Sequence, residues 1–204
     1  MIVADKKREQ IIDGAIKRFI HFGIGKTTMN DIAEDLSVSK PSLYYYFPDK
    51  KHLIIGVIER VFNDFFELIK KKYNPDQPLE DILFSTIEVR NTFFQKYYML
   101  RITEGIPDLL NDDVIKGKLQ ALKSSEKDFF AEIFSQAKGK GEIEHDDTAH
   151  VAELYLESLM GLCTMCIMET GKDLFPDKKA LNKMTLKQKN LTTIFVRRSL
   201  IKND

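Results

Sequence analysis

Cysteine and excess charge are both scarce in this chain, and their scarcity narrows what the protein can be. The 204 residues include only two cysteines, Cys163 and Cys166, so structural disulfides are not expected. Thirty-one basic residues balance thirty-one acidic ones, which excludes a protein that coats nucleic acid through bulk positive charge. Any basic surface must therefore be local.

Long apolar runs are missing as well. Residues Met1 to Arg8 contain no apolar core of the length that a signal peptide needs. No later run approaches a membrane span, and we therefore expect a cytoplasmic protein with no membrane partner. Strand-like alternation is nearly absent, whereas helical periodicity recurs along the whole chain.

A short segment in the N-terminal quarter carries the signals of two short helices joined by a tight turn. Thr28 and Asp31 have the spacing of a capping box at the start of the first helix. Ser39 can cap the second helix, and Pro41 falls in its first turn, where a missing N–H costs nothing. Pro48 limits the other end, because the residue before a proline is pushed out of the helical region. The second helix is therefore predicted to be barely two turns long.

Three consecutive tyrosines lie in this second helix. Leu43 and Phe47 are four residues apart and can share its buried face. The other sides of the helix carry Tyr44, Tyr45 and Tyr46. Exposed phenol groups can donate to phosphate oxygens, and rings can contact a thymine methyl. Alternatively, two of the tyrosines pack against a neighbouring helix and only the third is exposed. The helix-turn-helix frame favours a DNA-reading helix.

The segment resembles the N-terminal domain of the TetR family of bacterial transcriptional repressors. The matching residues are a threonine pair, an Ile-Ala step, a Val-Ser turn, Leu-Tyr and Tyr-Phe steps, and a lysine with a leucine beyond it: Thr27-Thr28, Ile32-Ala33, Val38-Ser39, Leu43-Tyr44, Tyr46-Phe47, Lys50 and Leu53. Two positions depart from the family pattern. Ser37 stands where the family usually has glycine, and Met29 where some members place a polar or basic residue that contacts bases.

The resemblance implies an all-α fold in two parts. Residues 1–52 would form a three-helix helix-turn-helix DNA-binding domain, and residues 53–204 a helical ligand-binding and dimerisation bundle. The sequence also predicts several helix limits. Gly23 is expected to end the first helix, residues 74–78 break the helical pattern, and a short helix is predicted around residues 106–110.

The predicted DNA-binding domain has only a small excess of positive charge. Residues 1–52 contain nine lysine and arginine residues against seven acidic ones, nine minus seven or plus two. Affinity is therefore expected to depend on the placement of a few side chains and on dimerisation. The candidate contacts are Thr28, Lys40, Tyr45, Tyr46 and Lys50 for phosphates, and Pro41, Ser42 and Tyr44 for bases.

A helix from Leu154 to Met168 is apolar nearly all round. An amphipathic helix needs only one buried face, so this one needs two partners, as a dimer or as the central helix of a monomeric bundle. TetR-like proteins generally pair through their last two long helices, and the resemblance therefore favours a homodimer, with Gly161 allowing close approach. The candidate interface residues are Leu156, Leu159, Gly161, Cys163, Ile167, Leu191, Ile194 and Phe195.

Arg90 lies on an apolar stripe between Ile87 and Phe94. Because an unpaired buried guanidinium is costly, Arg90 must reach outward, pair with an acid such as Glu157, or anchor an anionic ligand; the first two outcomes are favoured. TetR-like repressors usually carry an inducer pocket in their C-terminal helices. Periodicity and aromatic content suggest a lining, although the same residues serve equally well as plain core: Phe62, Phe66, Arg90, Phe93, Phe94, Tyr97 and Met160.

Cys163 and Cys166 form a C-x-x-C motif, which also occurs in redox pairs and metal sites. A redox pair is expected to open a helix near a βαβ pattern, and a zinc site needs two further ligands; neither context is present. Buried core or interface cysteines are the favoured interpretation, and neither a metal nor another cofactor is expected.

Together these features predict a ligand-responsive repressor that binds a near-palindromic operator as a homodimer. Its partners would be double-stranded DNA, a second copy of the chain and an unidentified small-molecule effector. The alternative is a helical small-molecule-binding or scaffold protein that has lost specific DNA reading. An enzyme is not expected, because the sequence carries no catalytic constellation, phosphate loop or metal set above chance.

Overall fold

A computed structural model describes residues 2–97, 112–170 and 176–199. Within these ranges the chain forms eight helices and no strands, which confirms the all-α prediction. The helices are α1 (Ile2–Phe22), α2 (Met29–Asp35), α3 (Lys40–Tyr46), α4 (Lys50–Lys72), α5 (Leu79–Tyr97), α6 (Asp113–Gly139), α7 (Thr148–Thr170) and α8 (Lys178–Ser199). The short helix predicted around residues 106–110 lies outside the described residues.

The chain divides into two compact units. The first contains residues 1–64 and 94–120, and the second contains residues 65–93 and 121–204. Because the division falls inside α4, α5 and α6, each of these helices contributes residues to both units. The domain boundary that we predicted after residue 52 remains a prediction.

Helix α1 supplies one wall of the first unit's core. Its buried face consists of residues that are each at most 1% exposed: Ile11, Ile12, Ala15 and Phe19. The helix ends at Gly23, whose φ of 78° suits glycine and whose backbone N donates to Phe19 O at 2.9 Å. The predicted helix stop is therefore confirmed.

Arg60 joins α4 to α1 within the first unit. Its Nε lies 2.9 Å from Asp64 Oδ1 on the same helix, and its Nη2 lies 3.6 Å from Asp13 Oδ1 on α1. Its Nη1 also pairs with Glu9. One guanidinium thus contacts three carboxylates.

Aromatic rings from three helices meet in the core of the second unit. Tyr155 of α7 is fully buried, and its ring centre lies 5.7 Å from that of Phe134 on α6 and 5.4 Å from that of Phe195 on α8. The Tyr155 hydroxyl lies 2.9 Å from Thr192 Oγ1, within hydrogen-bonding distance. The buried hydroxyl of Tyr155 therefore has a hydrogen-bond partner.

A second polar contact ties α5 to α8 in the same unit. Asn91 Nδ2 donates to Thr185 Oγ1 at 2.7 Å and to Gln188 Oε1 at 3.0 Å. Gln188 is fully buried, and its Nε2 donates to Leu159 O at 3.3 Å. The amide of Gln188 thus connects three helices.

Helix α7 corrects the expectation that no run of residues approaches the length and apolar character of a membrane span. Its residues from Thr148 to Glu169 are long and apolar enough to cross a membrane by length and composition alone. A single such helix is weak support for a membrane protein, since the core helix of a soluble protein passes the same test. Here Ala152, Tyr155 and Leu159 are at most 1% exposed in the core of the second unit.

Candidate nucleic-acid interface

Helix α3 is held at both ends by the residues that the sequence predicted for this purpose. Ser39 Oγ accepts a hydrogen bond from the Ser42 backbone N at 3.3 Å, and Pro41 follows in the first turn. At the other end, Phe47 leaves the helix in an extended conformation (φ −135°, ψ 102°). Leu43 and Phe47 are 0% and 2% exposed, so they anchor the helix on the first unit.

The tyrosines of α3 are largely turned toward solvent. Tyr45 is 80% exposed and Tyr44 45% exposed, while Tyr46 is half-buried. The Tyr45 and Tyr46 rings meet edge to face, 5.1 Å between centres and at 89°. Lys40 at the start of the same helix is also exposed. The alternative in which two tyrosines are packed away is therefore not the arrangement of this fold.

The predicted capping box at the start of α2 is confirmed. Thr28 Oγ1 accepts from Asp31 N at 3.2 Å, and Thr28 N donates to Asp31 Oδ2 at 2.8 Å. The Thr28 side chain also hydrogen-bonds the Asp31 carboxylate, which lowers the pKa of Asp31. The two residues beside Thr28 are buried. Thr27 is buried and donates to Gly23 O at 2.9 Å, and Met29 is 7% exposed in the core, so Met29 does not reach a groove.

The turn between α2 and α3 passes through a left-handed residue. Ser37 has φ 52°, the one positive φ among the described non-glycine residues. Its backbone N donates to Glu34 O at 3.0 Å, and Val38 N donates to Ala33 O at 2.9 Å. This pair of bonds is the Schellman pattern, which commonly places glycine at the left-handed position. The turn therefore has the geometry that suits the family's usual glycine, although serine occupies it.

Most carboxylates of the helix-turn-helix region are already paired within the first unit. Among the described side chains of residues 6–50, arginines pair with four of the six acids: Glu9, Asp13, Asp31 and Asp35. Asp49 contacts the His52 ring, which is charged only if protonated, and Glu34 has no ion-pair partner. The lysines of the same range have none: Lys6, Lys7, Lys17, Lys26, Lys40 and Lys50. The cations without an ion-pair partner in this range are therefore all lysines, although ion pairing leaves the net charge of the segment unchanged.

Two arginines bring about this pairing, and neither was predicted from the sequence. Arg18 holds Asp31 and Asp35, and Arg60 holds Glu9 and Asp13. Arg18 and Asp35 are 17 residues apart, and Arg60 and Glu9 are 51 residues apart. No local spacing could reveal these contacts, because they depend on how the helices pack.

The start of α4 combines a partly buried lysine with an ion pair. Burial lowers the pKa of Lys50 below its ordinary value, while the nearby Asp31 acts in the opposite sense. The next residue, Lys51, places its Nζ 2.5 Å from Asp112 Oδ2 at the start of α6. Of the two lysines, Lys50 is therefore the one that stays available to a phosphate.

The residues predicted for a ligand pocket are distributed over both units. Phe62, Phe94 and Tyr97 belong to the first unit, and Phe66, Arg90, Phe93 and Met160 to the second. Met160 is 44% exposed on α7. A pocket lined by all seven side chains therefore stays a prediction.

Arg90 is paired inside the second unit. It forms an ion pair with Glu126 of α6, and its guanidinium carbon lies 5.3 Å from the centre of the Phe65 ring. The Phe65 ring in turn lies 5.2 Å from that of Phe93. The pairing outcome expected for Arg90 therefore holds, with Glu126 as the acid in place of the suggested Glu157.

The residues predicted for a dimer interface fall into two groups. Leu156 and Leu159 are 7% and 1% exposed within the subunit's own core, and Leu191 and Phe195 pack against the same core. Gly161 and Ile194 are exposed, whereas Cys163 and Ile167 are half-buried. Further apolar side chains are exposed on the same two helices: Leu154, Met160, Met165, Met168 and Leu186. We call Leu154, Met165, Met168 and Ile194 the apolar outer residues.

Comparison with known proteins agrees with this architecture. Residues 11–57 match the family described as bacterial regulatory proteins, tetR family. The chain is 25% identical over 179 residues to the biofilm operon icaADBC HTH-type negative transcriptional regulator IcaR of Staphylococcus epidermidis, covering 84% of this chain and 94% of the relative. It is 26% identical over 156 residues to IcaR of Staphylococcus aureus strain Newman, covering 74% and 81%. The crystal structure of a transcriptional regulator from Cytophaga hutchinsonii is similar with a TM-score of 0.81 and 28% identity, covering 96% of this chain and 99% of that one.

Proposed function

Because the chain belongs to the TetR family of transcriptional regulators, we propose that it is a repressor that binds a near-palindromic operator as a homodimer. The observation that carries the proposal is the exposure of Tyr44 and Tyr45 beside Lys40 on a short, capped helix. A helix of this kind fits the major groove, which admits an α-helix and presents a distinct pattern for each base pair. Such a protein would act in the cytoplasm.

The proposed DNA contacts follow from the chemistry of the exposed groups. Phosphate contacts fix register and orientation, and hydroxyl and ammonium donors supply them here: Thr28, Lys40, Tyr45, Tyr46 and Lys50. Base contacts come from the residues of α3 nearest its start and its outer side: Pro41, Ser42 and Tyr44. The unpaired lysines of the first unit support this assignment, since each neutralised phosphate releases counterions and raises affinity.

The proposed homodimer is supported by the apolar outer residues of α7 and α8. Met165 is 56%, Met168 76% and Ile194 55% exposed, and exposed apolar surface commonly marks an interface. Gly161 has open space around it, which suits close approach of a partner helix. Leu156 and Leu159 would then lie in the subunit core beneath the interface. Two copies would place their α3 helices about 34–36 Å apart, in successive major grooves.

The proposed ligand response uses the family's usual pattern. An effector held by the C-terminal helices would shift the population toward a subunit arrangement whose α3 helices no longer match the half-site spacing. The aromatic pair Phe65 and Phe93 next to Arg90 supports an effector site in the second unit. The predicted lining by Phe62, Phe94 and Tyr97 in the first unit stays a prediction.

A gel-shift titration on the DNA upstream of the protein's own gene tests DNA binding. We expect Tyr44→Ala and Lys50→Ala each to weaken binding by about tenfold, the loss of about 1–2 kcal/mol from one contact. Lys138→Ala is the matched control, because it removes a cation that pairs with Asp146 in the second unit. Unchanged affinity of both Tyr44→Ala and Lys50→Ala would overturn the site assignment. Absence of salt-sensitive binding of the unmodified protein to any duplex or to heparin would favour the scaffold alternative.

Light scattering coupled to size-exclusion chromatography tests the dimer. We expect Met165→Glu and Ile194→Glu to elute as monomers at micromolar concentration, because a buried unpaired carboxylate opposes association. Leu68→Glu is the control, since Leu68 is also an exposed apolar residue (45%) but lies on α4. A monomeric unmodified protein, or a dimer that both glutamates leave intact, would contradict the proposed interface.

A further inference from the structure

Asp31 creates an electrostatic conflict at the start of α2. Its carboxylate accepts the Thr28 backbone N–H at 2.8 Å and so completes the capping box. The hydrogen bonds from Thr28 hold the pKa of Asp31 below its ordinary range, so the group is negative at neutral pH. Thr28 is also a proposed phosphate contact. A phosphate bound there would lie within a few ångströms of a full negative charge, which opposes binding.

The guanidinium of Arg18 lies directly at this carboxylate. Arg18 Nη2 is 3.6 Å from Asp31 Oδ1. At its other side, Arg18 Nη1 donates to both oxygens of Asp35, at 2.7 and 2.9 Å. The guanidinium carbon also lies 4.6 Å from the centre of the Phe22 ring. Asp35 and Phe22 therefore fix the orientation in which Arg18 faces Asp31.

Arg18 is poorly placed to contact DNA itself. Its side chain is only 21% exposed, and both terminal nitrogens face carboxylates. Its Nε is buried and has no hydrogen-bond partner. The positive charge of Arg18 thus acts on Asp31 and Asp35, and the phosphate contact is left to Thr28 and Lys50.

We propose that Arg18 is a positioning residue for DNA binding, which offsets the charge of Asp31 so that the capping box and a phosphate at Thr28 coexist. The inference rests on the proposed DNA-binding function. Without Arg18, the Asp31 carboxylate would be left with Lys50 as its nearby cation, and Lys50 is itself a proposed phosphate contact. Since this interaction is screened by water and salt, the loss is modest and greatest at low ionic strength.

Fluorescence anisotropy with a labelled duplex of about 30 base pairs and mixed sequence tests the inference, because binding to such DNA depends on phosphates alone. At about 50 mM salt we expect Arg18→Gln to bind threefold to tenfold more weakly, roughly the effect of one unpaired charge nearby. Adding Asp31→Asn should restore affinity to within about twofold, since the amide oxygen still accepts the Thr28 N–H. Arg18→Lys keeps the charge and should also bind within about twofold of the unmodified protein.

The matched control is Asp13→Asn in the Arg18→Gln background. Asp13 also lies 3.6 Å from an arginine, Arg60, but on α1, so its removal restores the same total charge at another place. Rescue by Asp31→Asn that clearly exceeds rescue by Asp13→Asn supports the inference. Equal rescue by the two changes, no rescue by either, or binding by Arg18→Lys as weak as by Arg18→Gln would each overturn it. If the unmodified protein fails to bind this duplex, the proposed function itself is wrong.

Discussion

The side chain of Leu36 rests against the backbone of Gly14, so closely that a Cβ at position 14 would lie 2.6 Å from Leu36 Cδ2 and 2.9 Å from Leu36 Cγ. Helices α1 and α2 therefore approach each other at a point where only glycine fits. Because α2 leads through the Ser37 turn into α3, this contact helps to set the course of the chain into the helix proposed to read DNA.

Gly14→Ala should lower the stability of the protein. The added methyl group would force Leu36 aside at about 1–3 kcal/mol, which exceeds or cancels the gain of about 1 kcal/mol from the better helix former. Gly117→Ala is the control, because Gly117 also lies in a helix but a Cβ added there would meet no atom within 4 Å. Thermal unfolding followed by circular dichroism should show a lower or equal Tm for the first variant and a higher Tm for the second. The opposite order would contradict this packing.

Ser37→Gly should stabilise the protein. A left-handed conformation costs a non-glycine residue about 1–2 kcal/mol, and glycine removes this cost at an entropic penalty of about 0.5–1 kcal/mol. Urea unfolding should therefore show a net gain of about 0.5–1 kcal/mol. Ser125→Gly, in the exposed middle of α6, should lose a similar amount, because φ there is helical. A loss at both positions would mean that the Ser37 turn is not strained.

Gln188→Leu should be destabilising by about 1–3 kcal/mol. The change removes two hydrogen bonds of the buried Gln188 amide, to Asn91 Nδ2 and to Leu159 O, and each contributes about 0.5–1.5 kcal/mol. Asn91 Nδ2 keeps its bond to Thr185. Urea unfolding of Gln188→Leu and of Gln120→Leu provides the comparison, since Gln120 is exposed on α6 and should change stability by less than about 0.5 kcal/mol. The double variant Asn91→Leu/Gln188→Leu should recover part of the loss; full additivity of the two single changes would contradict the network.

Cys163 should react slowly with thiol reagents in the folded protein. Burial raises the pKa of its thiol from 9.0 to about 11, although the charge of Arg90 acts in the opposite sense. At pH 8 only about one thiol in a thousand would then be thiolate. Ellman's reagent should accordingly modify the folded Cys166→Ala variant at least about tenfold more slowly than the same variant in urea.

The same pKa implies a loss of stability in alkali. The folded state holds the Cys163 proton more tightly than the unfolded state, so this contribution is fully present below pH 9 and disappears as the pH rises toward 11. Cys163→Ala should flatten the dependence of unfolding free energy on pH in this window. An unchanged slope, or rapid labelling of the folded protein, would show that the thiol is not buried as described.

Local signals were sufficient for the helix-turn-helix segment. The Thr28 capping box, the Ser39 cap and the buried pair Leu43 and Phe47 were all predicted from residues a few positions apart. Each of these features depends on chain geometry within two helical turns. The all-α fold followed in the same way from periodicity, which reports one buried face per helix.

The same local signals could not predict contacts between residues far apart in the sequence. Leu156 and Leu159 were expected at a dimer interface but lie in the subunit's own core, because periodicity shows that a side is buried without showing what covers it. The acid that holds Arg90 was likewise expected on α7 and lies on α6 as Glu126.

The amino-acid sequence by itself determined where α2 and α3 begin and end and that Leu43 and Phe47 form the buried face of α3, since caps, prolines and helical spacing act locally. Only the tertiary structure decided which charges remain available to DNA. Arg18 and Arg60 reach carboxylates 17 and 51 residues away, and ion pairs of this kind form only once packing has brought separate helices together. The near-neutral count of charges along the segment therefore did not reveal that, among its described side chains, the lysines of residues 6–50 have no ion-pair partner.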